Sequence, residues 1–300
     1  MKKPFRSGFV SILGRPNAGK STLLNALLGT KVAIVAPRPQ TTRTAIQGVL
    51  TLPAAQIVFV DTPGIHKSGT LLNKRMMHQV RAAAPADVML FVVDAVARFG
   101  PEDEHAVDLV KKTGAPALLV LNKVDRLQAK PRLLARIEQY RALHDFAAYV
   151  PVSALTGDGL DVLRKEILAR LPEGPALYPK DHLTDLPERF LAAELIRERA
   201  LLYTRDEVPH AVAVMVENWE DTPTLLRIAA TIYVERVGQK SILIGAGGAM
   251  LKRIGTAARH EIETLTGKKV FLELLVKVRP NWREDPEFLA ASDWRRSAGE

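Results

Sequence analysis

Residues 14–21 read Gly14-Arg15-Pro16-Asn17-Ala18-Gly19-Lys20-Ser21, and this stretch decides the fold. It satisfies G-x-x-x-x-G-K-[ST], whose glycines let backbone N–H groups close around an anion. Phe9-Val10-Ser11-Ile12-Leu13 before it is apolar and β-prone, and Thr22-Leu23-Leu24-Asn25-Ala26-Leu27-Leu28 after it has helical apolar spacing. Strand, glycine loop and helix is the context the pattern requires. The helix that starts near Gly19 points its positive dipole end at the same spot. Lys20 adds a full charge for β- and γ-phosphates, and the Ser21 hydroxyl is a candidate magnesium ligand. Gly14, Arg15, Pro16, Asn17, Ala18, Gly19, Lys20, Ser21 and Thr22 are therefore the first expected nucleotide contacts.

Outward from this loop, apolar runs alternate with helical stretches over the first 172 residues. Strands are expected at 8–13, 44–51, 56–61, 87–94, 117–122 and 149–153, and helices at 19–28, 71–84, 102–113, 131–143 and 160–170. The runs at 87–94 and 117–121 are almost continuously apolar, as strands covered on both faces must be. The pattern predicts an α/β domain with a doubly wound, mainly parallel sheet. Such sheets bind ligands at the carboxyl ends of their strands.

Those ends carry chemistry. Asp61-Thr62-Pro63-Gly64 follows the third strand. A carboxylate there can hold magnesium through water, and the Gly64 N–H can approach a γ-phosphate closely because no Cβ intervenes. Asn122-Lys123-Val124-Asp125 follows the fifth. The Asp125 carboxylate matches the ring N–H and exocyclic amine of guanine, a donor pair adenine lacks, which predicts GTP and GDP rather than ATP. Ser153-Ala154 follows the sixth strand, with backbone N–H groups for the guanine oxygen. In the loop before the second strand, Gln40-Thr41-Thr42-Arg43 offers two threonines as magnesium ligands; Thr42 is favoured, with Thr41 left open. That loop is expected to order on GTP and release on hydrolysis. The expected magnesium set is Ser21, Thr42 and Asp61, and the expected catalytic set is Asn17, Lys20, Thr42 and Gly64.

The chain has 300 residues, enough for two domains, and no cysteine, which excludes disulfides, thiol catalysis and Cys-based zinc sites. No uninterrupted apolar run of membrane-spanning length exists, and the basic start MKKPFRSGFV is not expected to be a secretory signal. A cytoplasmic location is the default expectation. The net charge of +9 is uneven: residues 1–179 carry +10 and residues 180–300 carry −1. Within the second half, residues 236–283 hold ten basic and three acidic residues, the place to expect a polyanion.

Residues 172–187 hold four prolines and break the α/β alternation. The predicted plan is a nucleotide domain over 1–174, a linker over 175–187, an α+β domain over 188–283 and a tail over 284–300. After the linker come a helix from Glu188 to about Leu202, strands at His210–Trp219 and Leu225–Arg236, a short helix, Gly245-Ala246-Gly247-Gly248, a helix to about Thr266 and a strand at Val270–Val278. The tail beyond 280 is expected to have little structure of its own. The order αββααβ with a G-x-x-G turn between two helices lets a nucleic-acid backbone approach closely.

The strand-end set resembles the translation-factor class of GTPases. Position 65 is Ile, which cannot orient a water. In relatives with an apolar residue there, the asparagine of N-x-G-K-S is associated with a potassium ion, so the resemblance makes Asn17 a candidate potassium ligand with the role of an arginine finger. His66, beside it, is a weaker candidate general base.

The stretch Ile242-Leu243-Ile244-Gly245-Ala246-Gly247-Gly248-Ala249-Met250-Leu251-Lys252-Arg253 resembles a type II KH domain. Its usual basic residue between the glycines is absent. Lys240, Lys252 and Arg253 are expected to compensate, with Ile244 and Leu251 as an apolar floor and Gly245, Ala246, Gly247 and Gly248 at the RNA backbone. Thr184-Asp185-Leu186-Pro187-Glu188-Arg189-Phe190 and Gly238-Gln239-Lys240-Ser241-Ile242-Leu243-Ile244-Gly245, added to the nucleotide motifs, are similar to the bacterial Era family over about residues 5–283. The resemblance implies a monomeric GTPase that binds 16S rRNA near its 3′ end, assists assembly of the 30S ribosomal subunit and associates peripherally with the inner membrane. Two rivals are an RNA chaperone with a structural nucleotide and a membrane-associated GTPase. A GTPase of tRNA modification would normally carry a different appended domain.

Overall fold

The computed structural model describes residues 4–38, 41–65, 69–83 and 85–294. The chain divides into two compact units: Met1–Ala33, Thr42–Ser68 and Arg75–Asp185 form the first, and Ile34–Thr41, Gly69–Lys74 and Leu186–Glu300 the second.

In chain order the first part holds β1 (Arg6–Leu13), α1 (Lys20–Leu28), β2 (Ile46–Leu52), β3 (Ala55–Asp61), α2 (Leu71–Ala82), β4 (Val88–Asp94), α3 (Pro101–Lys111), β5 (Ala117–Asn122), α4 (Lys130–Arg141), β6 (Ala148–Pro151) and α5 (Leu160–Arg170). The sheet order is β2-β3-β1-β4-β5-β6, with β2 antiparallel to β3 and the other pairs parallel. Every residue of β5 is buried, and so is every residue of β4 except Asp94. Continuous apolarity forces such strands to the middle, under helices on both faces. On one of those faces Phe91, Val93, Leu119 and Leu121 pack with Ala106 and Val110 of α3 and Tyr140 of α4.

The proline-rich segment expected as a linker belongs, as far as Asp185, to this unit. Gln56 on β3 is fully buried. It accepts from Leu177 N at 2.7 Å and Tyr178 N at 2.9 Å and donates to Tyr178 O at 2.9 Å. Val49 N donates to Leu183 O at 2.8 Å. A buried amide satisfied by the segment's own backbone leaves that segment little freedom.

The second unit continues with α6 (Glu188–Tyr203), α7 (Val208–Ala211), β7 (Ala213–Asp221), β8 (Leu225–Val234), α8 (Val237–Ile244), α9 (Ala249–Thr266), β9 (Lys269–Val278) and α10 (Pro286–Ala291). Its sheet order is β7-β8-β9, antiparallel then parallel. Ile196 and Ala200 of α6, Ile254, Ala258 and Ile262 of α9, and Ile228 and Ile232 of β8 form its core. β7 carries a bulge between Val216 and Asn218. Arg189 donates to Val216 O from Nε at 3.2 Å and to Glu217 O from Nη2 at 3.0 Å.

Two expectations need correction. His210 lies in α7, not in a strand, because Pro209 favours the first turn of a helix. The region beyond 280 is also structured. Trp282 is 2% exposed and donates from Nε1 to Ala211 O at 2.8 Å. The Asp285 carboxylate caps α10 by accepting from Glu287 N and Phe288 N, both at 3.0 Å.

Candidate nucleotide site and nucleic-acid loop

The glycine loop turns between β1 and α1. Gly14 sits at φ +152°, and a Cβ there would stand 2.2 Å from Val92 O. Gly19 is left-handed at φ +93°, and a Cβ would stand 2.3 Å from Asn122 Nδ2. Only glycine fits either place. Lys20 is buried, and its ammonium donates to Gly14 O at 3.1 Å and Arg15 O at 3.0 Å. Burial pulls its pKa down to about 8, opposed by Asp61.

Ser21, Thr42 and Asp61 converge. The Ser21 hydroxyl donates to Asp61 Oδ2 at 2.6 Å and lies 2.7 Å from Thr42 Oγ1. Thr41 instead turns its hydroxyl to Ala36 O and Arg38 O. Asp61 Oδ1 is buried with no hydrogen-bond partner. Burial pushes this carboxyl up to about 6, against the pull of Lys20 and the Ser21 hydroxyl. Two hydroxyls and a half-satisfied carboxylate fit magnesium, which takes oxygen ligands from a few side chains plus phosphate and water. Among the described residues no group of three His, Cys, Asp or Glu side chains could hold a metal.

The second strand-end motif is tied down from within. Thr62 Oγ1 donates to Ile12 O at 2.8 Å. Pro63 follows it, and Gly64 lies against Pro16, where a Cβ would come within 2.9 Å of Pro16 Cα. Ile65 is buried in the apolar core and donates its N–H to Gly14 O at 3.1 Å, so its side chain presents no polar group to a water. His66 and Gln40 lie outside the described residues.

The guanine-side residues interlock with the loop. Asn122 donates to Ala18 O at 2.9 Å and accepts from Ala154 N at 3.0 Å. Lys123 donates to Asn17 O at 2.6 Å and pairs with Asp94 at 2.7 Å. Asp125 is exposed and accepts from the buried Ser153 hydroxyl at 2.6 Å. Asn17 is exposed at the loop crest with φ +61°. Sequence reasoning missed Asp94, although it ends the fourth strand, where chemistry was sought. It also missed Asp103, which holds the Arg15 side chain, and Tyr140, which holds Asp103; neither belongs to a motif.

In the second unit, Gly245, Gly247 and Gly248 all have positive φ, and a tight turn over Ala246–Gly248 joins α8 to α9. A Cβ on Gly245 would stand 2.8 Å from Met250 Cβ, whereas one on Gly247 or Gly248 would meet nothing within 4 Å. Ala246 and Lys252 are exposed, Lys240 is half-buried, and Ile244 and Leu251 pack against the core. Arg253 is also exposed, and its guanidinium stacks on Tyr203, 4.1 Å from the ring centroid.

Residues 9–123 match the family of 50S ribosome-binding GTPases, and residues 207–283 match the KH domain family. The chain is 52% identical to GTPase Era of Geobacter metallireducens over 95% of its own length and 97% of that protein's. It is 48% identical to GTPase Era of Ruminiclostridium cellulolyticum, covering 95% and 96% of the two chains. Among solved structures, a single-substitution variant of Aquifex aeolicus Era bound to GDP·AlF4⁻ superposes with a TM-score of 0.94 at 42% identity, over 97% of this chain and 99% of that one. Era in complex with MgGDPNP and nucleotides 1506–1542 of 16S ribosomal RNA gives the same score, identity and coverage.

Proposed function

The chain belongs to the Era family of GTPases, and from that membership we propose a GTP-hydrolysing switch that binds 16S rRNA near its 3′ end and assists 30S assembly. The observation that carries the reading is the convergence of Ser21, Thr42 and Asp61 beside a glycine loop interlocked with Asn122, on a chain that also bears a KH domain.

GTP phosphates entering the loop take the Lys20 ammonium from the Gly14 and Arg15 carbonyls. The exchange replaces neutral acceptors by charged ones, which makes stronger hydrogen bonds. Ser21, Thr42 and Asp61 would hold magnesium, which neutralises charge on the phosphates when bound. Gly64 offers its N–H to the γ-phosphate. Asp125, with Ser153 behind it, selects guanine. Ile65 supplies no polar group, so Asn17, exposed at the crest, is the residue that would place a potassium ion near the transition state.

GTP then orders the loops around Thr42 and Gly64, and Ala246–Gly248 receives the RNA backbone. Lys252 and Lys240 supply the charge the turn itself lacks. The protein acts as a monomer in the cytoplasm. Attachment to the inner membrane would be peripheral, because among the described residues no helix is long and apolar enough to cross a bilayer.

The test is RNA affinity with a GTP analogue and with GDP, using an oligonucleotide from the 3′ end of 16S rRNA. The two should differ by about 1–3 kcal/mol, the usual range of coupling energies. Equal affinity in both states would sink the switch.

A further inference from the structure

We propose that Asp103 and Tyr140 are positioning residues for the phosphate loop and act through Arg15. Arg15 is the first residue after Gly14, yet its side chain leaves the loop. Its Nη1 donates to Asp103 Oδ2 at 2.7 Å, and its Nη2 meets Glu102 at 2.6 Å. Asp103 is 4% exposed and is itself fully occupied. Oδ2 also accepts Gly100 N at 2.9 Å, and Oδ1 accepts the Tyr140 hydroxyl at 2.7 Å. Tyr140 is 1% exposed and set between Phe91 and Phe99 edge to face. Burial pushes its phenol above the ordinary range, and the bond to Asp103 adds to the push. The phenol therefore remains a donor.

The line runs from α4 through the first turn of α3 to the start of the loop. It matters there because the Arg15 carbonyl is one of the two that seat Lys20. Two other loop carbonyls have their own ties, Asn17 to Lys123 and Ala18 to Asn122. Arg15 is thus the loop's anchor to the α3 side. A loop held in shape before phosphate arrives loses less ordering entropy on binding. The carboxylates pull the other way: they cancel a positive charge near the phosphates. The two effects predict opposite signs. The fully bonded, buried geometry of Asp103 favours ordering, because charge cancellation alone needs neither Tyr140 nor a buried carboxylate.

The proposal rests on the loop being the phosphate cradle. The experiment measures release of fluorescent GDP from the full chain carrying Asp103→Asn, Arg15→Ala, both together, or Tyr140→Phe. Asp103→Asn should speed release about tenfold, as expected for losing one charge-assisted bond. Tyr140→Phe, which changes neither charge nor shape, should speed it about threefold, the scale of one neutral hydrogen bond. The double variant should release no faster than its faster parent, because both changes cut one line. Restoring the carboxylate as Asp103→Glu should recover part of the loss. Unchanged or slower release in Tyr140→Phe, or additive effects in the double variant, would overturn the positioning role. Should Asp103→Asn fail to fold, Tyr140→Phe decides alone. A wild-type chain that binds no GDP would overturn the cradle reading and this proposal together, whereas normal binding with unaltered release in every variant overturns only this one.

Discussion

The Ser21 hydroxyl donates to Asp61 Oδ2 at 2.6 Å, while the other oxygen of the same buried carboxylate has no partner. Burial makes this carboxylate hold a proton more tightly, against the pull of Lys20 and its hydrogen-bond donors. Its pKa lies at about 6 rather than 3.8. A raised acid stabilises the nucleotide-free fold at low pH and loses that contribution as pH rises through about 6. Magnesium needs the ionised form. Its apparent affinity should therefore fall with falling pH, as the carboxyl keeps its proton. Asp61→Asn should weaken magnesium dependence at neutral pH and flatten this profile; a magnesium titration followed by nucleotide fluorescence between pH 5 and 7 checks both.

Lys20 is buried and seated on two loop carbonyls. Lys20→Ala removes the only full charge placed for the β- and γ-phosphates in this loop's own sequence. GTP affinity should fall by at least about a hundredfold, the scale of two charge-assisted hydrogen bonds. RNA affinity measured without nucleotide should be unchanged. If hydrolysis is lost while ribosome assembly is intact, the nucleotide is structural and the chaperone reading replaces the switch.

Asp125→Asn changes an acceptor pair into one acceptor and one donor. Guanine then faces a mismatched donor at its amine, whereas xanthine presents a carbonyl there. GTP binding should weaken by about 2–4 kcal/mol, and xanthosine triphosphate should gain what GTP loses. Competition between the two nucleotides against a fluorescent analogue reads this directly.

Ala246 is exposed at the tip of the second glycine turn. Ala246→Asp should cost RNA affinity about tenfold by placing a negative charge on the phosphate path, and Ala246→Lys should steepen the salt dependence of binding by about one unit of slope. GTP hydrolysis without RNA should not change in either. Gly245→Ala behaves differently. Its Cβ would stand 2.8 Å from Met250 Cβ at a φ of +72°. It should lower stability by about 1–3 kcal/mol, a loss visible in thermal unfolding.

Much of the fold was legible because apolar runs and glycine punctuation coincide with the strands and their ends. β4 and β5 announce themselves by unbroken apolarity, since nothing polar survives between two helix layers. The nucleotide motifs were legible because their chemistry lies in consecutive residues. What escaped lies across long sequence separations. The stack of Arg253 on Tyr203 joins residues 50 positions apart, and no local pattern announces it. Asp103 looks like an ordinary first-turn acid of α3 until Arg15 and Tyr140 are seen on either side. The helix at Pro286–Ala291 is a different case: Asp285-Pro286-Glu287 is a readable start signal, passed over because the surrounding composition is polar.

Arg189 spends its guanidinium on the backbone carbonyls of Val216 and Glu217, next to a bulge in β7. β7 is an outer strand, and such a margin invites a stranger's backbone. With these two acceptors taken and the register shifted between Val216 and Asn218, an incoming strand meets a break in its ladder there. On that ground, a crowded solution of this protein should stay clear longer than one carrying Arg189→Ala.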